Sequence, residues 1–127
     1  MSKRIKALAA SAVAVAAGAL TMVMPGTASA AGTCSSGYFC VWSDTGFTGN
    51  KVSWSGSDSI WPDSVWNKDS SWINSGITGP GVPSLVKVYP LNFQTGFYTL
   101  CIGPGQKIDW NPGANDNGQS HGWYSSC

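Results

Sequence analysis

The sequence has 127 residues, and its composition excludes several classes of partner before any motif is considered. After the first thirty residues the chain contains four lysines and six aspartates but no arginine or glutamate, which gives a formal net charge of −2. A nucleic-acid or anionic membrane surface is bound through clustered cations, so neither is an expected partner.

The first thirty residues, 1–30, have the organisation of a secretory signal peptide. Three cations precede an almost unbroken apolar run over residues 7–23, and Ala-Ser-Ala at 28–30 offers small residues for cleavage. We therefore expect a secreted, extracellular protein whose mature chain, 31–127, forms a single domain.

The four cysteines of the mature chain predict two disulfides. Export, an even number of cysteines and a small domain favour disulfides over a metal site, although four cysteines permit three connectivities. Cys34 and Cys40 enclose only five residues and are expected to pair, which leaves Cys101 with Cys127. The second bridge would stabilise the fold by roughly 3 kcal/mol.

Short β-rich stretches follow one another along the mature chain, and no segment shows helical apolar periodicity over about ten residues. The predicted strands cover residues 38–42, 51–54, 85–89, 97–102 and 123–125. Turn-forming residues separate them, as in Asn-Pro-Gly at 111–113, and residues 76–83 are typical of a linker within the domain. This pattern predicts an antiparallel sandwich or barrel.

An internal repeat at an offset of 47 residues is the strongest pattern in the sequence. In the first copy Trp42 is followed seven residues later by Gly49, and in the second copy Tyr89 is followed by Gly96. The aromatic ring can pack over a folded-back hairpin whose glycine takes a positive φ. A cluster of Asn, Asp and Ser follows each copy, at residues 67–71 and 116–120. The last serine of each cluster is expected to hydrogen-bond to its hairpin.

At these residues the chain resembles the βγ-crystallin double Greek key, which is marked by an aromatic residue, six further residues, a glycine and a later serine. The resemblance covers residues 34–127. It implies an all-β double Greek key sandwich stapled by two disulfides, with Greek key motifs at about 34–76 and 84–127.

A second resemblance lies at the start of the mature chain. Residues 34–40 read Cys-Ser-Ser-Gly-Tyr-Phe-Cys and lead directly into the first repeat copy. They resemble the opening of the actinobacterial secreted peptidase-inhibitor family, of the streptomycete metalloproteinase inhibitor type. This resemblance implies a monomeric, non-catalytic inhibitor whose partner is an extracellular peptidase, metallopeptidases included.

The chain departs from that family at the reactive loop. The founding member presents its reactive bond beside a second short-range cysteine pair, whereas Cys101 and Cys127 are far apart in this sequence. Another segment must then contact the peptidase, and the segment between the two repeats is the candidate. Its prolines stiffen it, and Ile77, Val82 and Leu85 could fill an apolar specificity pocket. A plain linker is the alternative interpretation.

Few residues of the mature chain are candidates for metal binding or catalysis. Asp116, Asn117 and Ser120 match most of the calcium-binding sequence of βγ-crystallins, with weak affinity expected because Asp116 is the only carboxylate among them. Structural turns are the alternative, and no other cofactor is expected. His121 is the single histidine, which excludes a multi-histidine metal centre and favours a structural strand residue over a catalytic one. We therefore do not expect an enzyme.

The seven tryptophans suggest an alternative function. In this hypothesis the protein is a secreted carbohydrate- or cell-wall-binding module with a glycan partner. Trp42 and Trp54 lie at repeat and strand positions and are expected in the core. Trp61, Trp66 and Trp72 lie near polar turns and are the candidates for an exposed sugar-stacking patch.

Overall fold

The computed structural model describes residues 32–127, and within that range it contains seven β-strands and no α-helix. The strands are β1 (Phe39–Asp44), β2 (Thr48–Trp54), β3 (Ser71–Asn74), β4 (Leu85–Tyr89), β5 (Leu100–Ile102), β6 (Lys107–Ile108) and β7 (Ser120–Tyr124). A 3-10 turn, Asn92–Gln94, follows β4. The predicted signal peptide, residues 1–30, lies outside the described residues. Among residues 32–127 there is no helix of the length and hydropathy needed to cross a membrane.

The strands form two antiparallel sheets, ordered β2-β1-β3-β6 and β5-β4-β7. The two halves of the sequence exchange strands. β6 comes from the second half but pairs with β3 of the first, and Asp58 of the first half forms an isolated bridge with His121 in β7. The predicted all-β double Greek key is confirmed, as are the disulfides Cys34–Cys40 and Cys101–Cys127.

Two strands were not predicted from the sequence. β3 reads Ser-Trp-Ile-Asn, and all four of its residues are buried although its two ends are polar. β6 has only two residues, which is too short for a periodicity to appear. Both strands form because partners distant in the sequence satisfy their backbone groups. Of the predicted strands, 85–89 has the observed bounds, and the others are displaced by up to three residues at their ends.

The hydrophobic core lies between the sheets, and β1 shows why the sequence folds this way. Alternate residues of a strand point to opposite faces. Phe39 and Val41 face the main core, while Cys40 and Trp42 join a smaller cluster with Ile73 on the outer face. The main core is completed by Trp61, Val65, Trp72, Val86, Val88, Leu100, Ile102 and Ala114.

The hairpin between β1 and β2 has the predicted geometry. The Trp42 ring packs edge-on against Phe47 with 5.3 Å between ring centroids. Gly49 has a φ of 83°, and a Cβ there would lie 2.5 Å from the Ser43 hydroxyl oxygen. The Ser71 hydroxyl accepts a hydrogen bond from the Phe47 N–H (3.0 Å) and donates one to a hairpin carbonyl (2.7 Å). The predicted bond from the later serine to the hairpin is therefore confirmed.

The second hairpin repeats the serine bonds but not the aromatic packing. The Ser120 hydroxyl donates to the Leu91 carbonyl (2.6 Å) and accepts from the Gln94 N–H (3.0 Å). Tyr89 packs against Tyr98 rather than against the hairpin, so the Phe93 ring is left 63% exposed. The two copies thus share their polar frame and differ in the apolar surface that they cover.

Candidate functional site

The connecting loop, residues 75–84, joins β3 to β4 and contains two of the three predicted contact residues, Ile77 and Val82. Every residue from 77 to 83 is exposed, with Ile77 at 61% and Val82 at 42%. The Val82 N–H donates to the Gly79 carbonyl across a β-turn (3.1 Å). Its central residues are proline and glycine, and Gly81 has a φ of 74°, as a type II turn requires. Val82 is therefore presented on a defined turn, and Ile77 is exposed two residues before that turn.

Leu85, the third predicted contact residue, lies at the first position of β4 and is only half-buried. Its backbone pairs with Tyr124 of β7. The structure therefore brings Ile77 and Val82 together on the exposed loop and places Leu85 at the point where that loop joins the sheet.

A buried asparagine ties the base of the connecting loop. Asn74 is fully buried, and its Oδ1 accepts a hydrogen bond from the Gly76 N–H at 2.7 Å. Its Nδ2 donates to the Ser84 carbonyl at 2.8 Å and to the Ile102 carbonyl at 2.7 Å. Sequence reasoning missed this residue, because nothing in the spacing around it distinguishes it from other asparagines near turns.

Close packing fixes the start of the same loop. A Cβ on Gly76 would lie 2.6 Å from the Trp123 ring, so only glycine fits without a shift of the backbone or the ring. Beside this contact is an open groove of about 460 Å³. It is lined by Gly37, Ser55, Gly56, Ser57, Gly76, Ile77, Val82, Pro83 and Trp123. The loop side chains and the groove form one continuous surface.

The second Asn/Asp cluster is engaged in hydrogen bonds within the protein. The Ser120 hydroxyl is used by its hairpin, and the Asn117 side-chain amide donates to the Gly113 carbonyl (3.1 Å). Asp116 has a φ of 59°. In residues 32–127 no group of three or more His, Cys, Asp or Glu side chains could hold a metal ion. Calcium binding by Asp116, Asn117 and Ser120 stays a prediction.

Asp69, in the first half of the domain, is hydrogen-bonded to this second-half cluster. Its buried carboxylate accepts hydrogen bonds from the Gly118 N–H (2.8 Å) and from the Trp72 indole (2.8 Å). The pKa of Asp69 is raised to about 6, mainly by burial and to a small extent by the nearby Asp116 charge, although the hydrogen bonds from Gly118 and Trp72 oppose the shift. A carboxylate with this pKa changes its charge in mildly acidic solution.

His121 is a structural strand residue, as predicted. It is fully buried in β7, its Nδ1 accepts a hydrogen bond from the Trp61 indole (2.9 Å), and its Nε2 donates to the Gly56 carbonyl (2.8 Å). Burial lowers the pKa of His121 to about 4, against the opposing effects of Gly56 and Asp58. Since both ring nitrogens are occupied and the ring is inaccessible, His121 cannot act on a substrate.

The prediction of an exposed tryptophan patch is wrong. Trp61 and Trp72 are buried because each indole N–H has an internal acceptor, His121 and Asp69 respectively. Trp66 is half-buried, and its indole donates to Asn92 (3.0 Å). The large aromatic side chains that are exposed are instead Tyr38, Phe93, Phe97, Tyr98 and Trp110.

Residues 27–82 match the model of peptidase inhibitor family I36. The match includes the first disulfide, the first Greek key and most of the connecting loop. It confirms the resemblance to the peptidase-inhibitor family over these residues. No curated protein is detectably similar to this chain.

Solved structures similar to this chain include several βγ-crystallins. An archaeal βγ-crystallin is 17% identical, with a TM-score of 0.54 over 70% of this chain and 99% of its own. A structure bearing on the evolution of the eye-lens βγ-crystallin domain fold is 12% identical, with a TM-score of 0.60 over 72% and 89%. A domain from Clostridium beijerinckii is 20% identical, with a TM-score of 0.51 over 70% and 99%. At these identities the similarity establishes the fold alone.

Proposed function

We propose that this protein is a secreted inhibitor of extracellular peptidases, metallopeptidases included, and that it presents the connecting loop to the peptidase cleft. The match of residues 27–82 to a peptidase inhibitor family carries the proposal. Two disulfides in a small domain fit an oxidising, extracellular environment.

The loop has the properties that such a contact needs. Ile77 and Val82 are exposed apolar side chains that can enter a specificity pocket, and the turn at 79–82 holds Val82 in place. A loop that is already ordered loses less conformational entropy on binding, so more of the contact energy remains as affinity. The neighbouring groove extends the surface that a peptidase could cover.

Inhibition assays with single variants test the proposal. The wild type should inhibit a thermolysin-like metallopeptidase, and Val82→Asp should weaken inhibition by at least about a hundredfold, because a carboxylate would be buried in an apolar pocket. Phe93→Asp is the matched control, since it changes another exposed apolar residue at the opposite end of β4. It should leave inhibition unchanged.

Three outcomes would contradict parts of the proposal. Equal inhibition by Val82→Asp and wild type would retain the function and reject the loop. Inhibition of a subtilisin-like serine peptidase but of no metallopeptidase would change the target class. Retention on chitin or cell-wall glycan, with no inhibition of any peptidase, would replace the proposal with the glycan-binding alternative.

A further inference from the structure

Neither disulfide spans the connecting loop. Cys34–Cys40 lies wholly before the loop, and Cys101–Cys127 lies wholly after it. A peptidase that hydrolyses one bond between residues 77 and 83 adds one water molecule and leaves a new carboxylate and a new amine. The chain is then two pieces with no covalent link. Whatever keeps the cut ends in place must be non-covalent.

The hydrogen bonds of Asn74 survive such a cut. Gly76 lies before residues 77–83 and Ser84 lies after them, so the side-chain amide still joins both ends of the opened loop. Its third bond, to the Ile102 carbonyl, anchors the pair to β5 of the second half. These three partners, the Gly76 N–H and the two carbonyls, fix the orientation of the Asn74 amide. All three hydrogen bonds form only when Oδ1 faces the Gly76 N–H and Nδ2 faces the carbonyls. The pairing of β3 with β6 adds a second link between the pieces.

We propose that Asn74 is the positioning residue of the inhibitory loop and takes the place of a loop-spanning disulfide. Before binding it keeps the loop in one conformation, and after hydrolysis it keeps the new carboxylate close to the new amine. Ends that are held together re-form the peptide bond, with release of the water, far more readily than free ends do. The peptidase therefore stays occupied rather than releasing a cleaved substrate. This inference rests on the proposed function.

A first experiment tests the clamp without any peptidase. Asn74→Ala is compared with Ser120→Ala, which also removes a buried polar side chain that bonds to backbone, but at the opposite end of β4 from the loop. Hydrogen exchange of the Val82 N–H, measured equally far below each Tm, should be at least about tenfold faster in Asn74→Ala. It should match the wild type in Ser120→Ala. Equal exchange in the two variants would overturn the clamp.

A second experiment tests the role in inhibition. Against a peptidase that the wild type inhibits, Asn74→Ala should raise Ki at least about tenfold and should be cut in the loop with progressive loss of inhibition. Ser120→Ala should remain uncut and inhibitory. If Asn74→Ala does not fold, Asn74→Asp replaces it in both experiments. An ionised aspartate still accepts from the Gly76 N–H but cannot donate to the Ser84 carbonyl.

Nicked wild type supplies the last comparison. Its two pieces should co-elute in gel filtration under native conditions and separate in a denaturing gel without reductant. Dissociation under native conditions, or equal Ki values for the Asn74 and Ser120 variants, would overturn the inference. A wild type that inhibits no peptidase would instead remove the proposed function, and the exchange experiment would still report on the clamp.

Discussion

Two buried ionisable groups should oppose each other as the pH falls. The pKa of His121 is about 4 in the fold against 6.5 for an ordinary histidine, so the unfolded chain takes up the proton first. Stability that is present above pH 6.5 is therefore lost between 6.5 and 4. The pKa of Asp69 is about 6 against 3.8, so the folded chain holds the proton more tightly. Its contribution is full below pH 3.8 and is lost as the pH rises through 6.

The two effects are of similar size. One pKa unit corresponds to about 1.4 kcal/mol, so His121 alone would lower the free energy of unfolding by about 3 kcal/mol between about pH 7 and about pH 4. Over the same range Asp69 would raise it by about 2 kcal/mol. The balance leaves the wild type nearly insensitive to pH as far as these two groups are concerned. Asp69→Asn should remove the compensation and reveal the loss of about 3 kcal/mol from His121.

Urea unfolding followed by tryptophan fluorescence measures this difference. Asp69→Asn also loses one hydrogen bond, because the new amide N–H₂ cannot accept from the Gly118 N–H or the Trp72 indole that it would face. This loss lowers the free energy of unfolding by about 1–3 kcal/mol at every pH. The test is therefore the slope against pH and not the offset. Asp63→Asn, at an exposed aspartate, is the matched control and should run parallel to the wild type. A slope for Asp69→Asn equal to that of the wild type would refute the reasoning.

Two further predictions concern the repeat. Ser71→Ala and Ser120→Ala should each lower the free energy of unfolding by about 2 kcal/mol, because each removes two hydrogen bonds from a partly buried hairpin. Losses below about 0.5 kcal/mol in urea titrations would mean that water replaces the hydroxyl. Calorimetry of chelator-stripped protein should show only weak calcium binding, since Asp116 is the single carboxylate in its cluster. Sub-micromolar affinity would contradict that expectation.

The features predicted correctly from the sequence are local ones. The seven-residue spacing of an aromatic and a glycine defines a hairpin within one short stretch, and five residues between Cys34 and Cys40 leave little choice of partner. Those signals do not depend on the rest of the chain. They were sufficient for the fold, for both disulfides and for the serine bonds of the hairpins.

The features that were missed depend on partners far away in the sequence. Trp61 lies among polar residues, yet it is buried. Its indole N–H donates a hydrogen bond to His121, which is 60 residues further along the chain. Asn74 becomes a clamp only when β5 brings Ile102 beside it, 28 residues away. No sequence periodicity near Trp61 or Asn74 indicates these long-range hydrogen bonds. The loop itself could be named from its prolines and exposed aliphatic residues, whereas the side chain that holds it could not.

The exchange of strands between the two halves has a consequence for folding. One edge of β3 is closed only when Lys107 and Ile108, more than thirty residues further along the chain, pair with it. Until then four residues destined for the interior present unpaired backbone groups that can template pairing with another chain. Aggregation therefore competes with folding during the interval before Lys107 and Ile108 pair with β3. The shortest strand of the domain closes that interval.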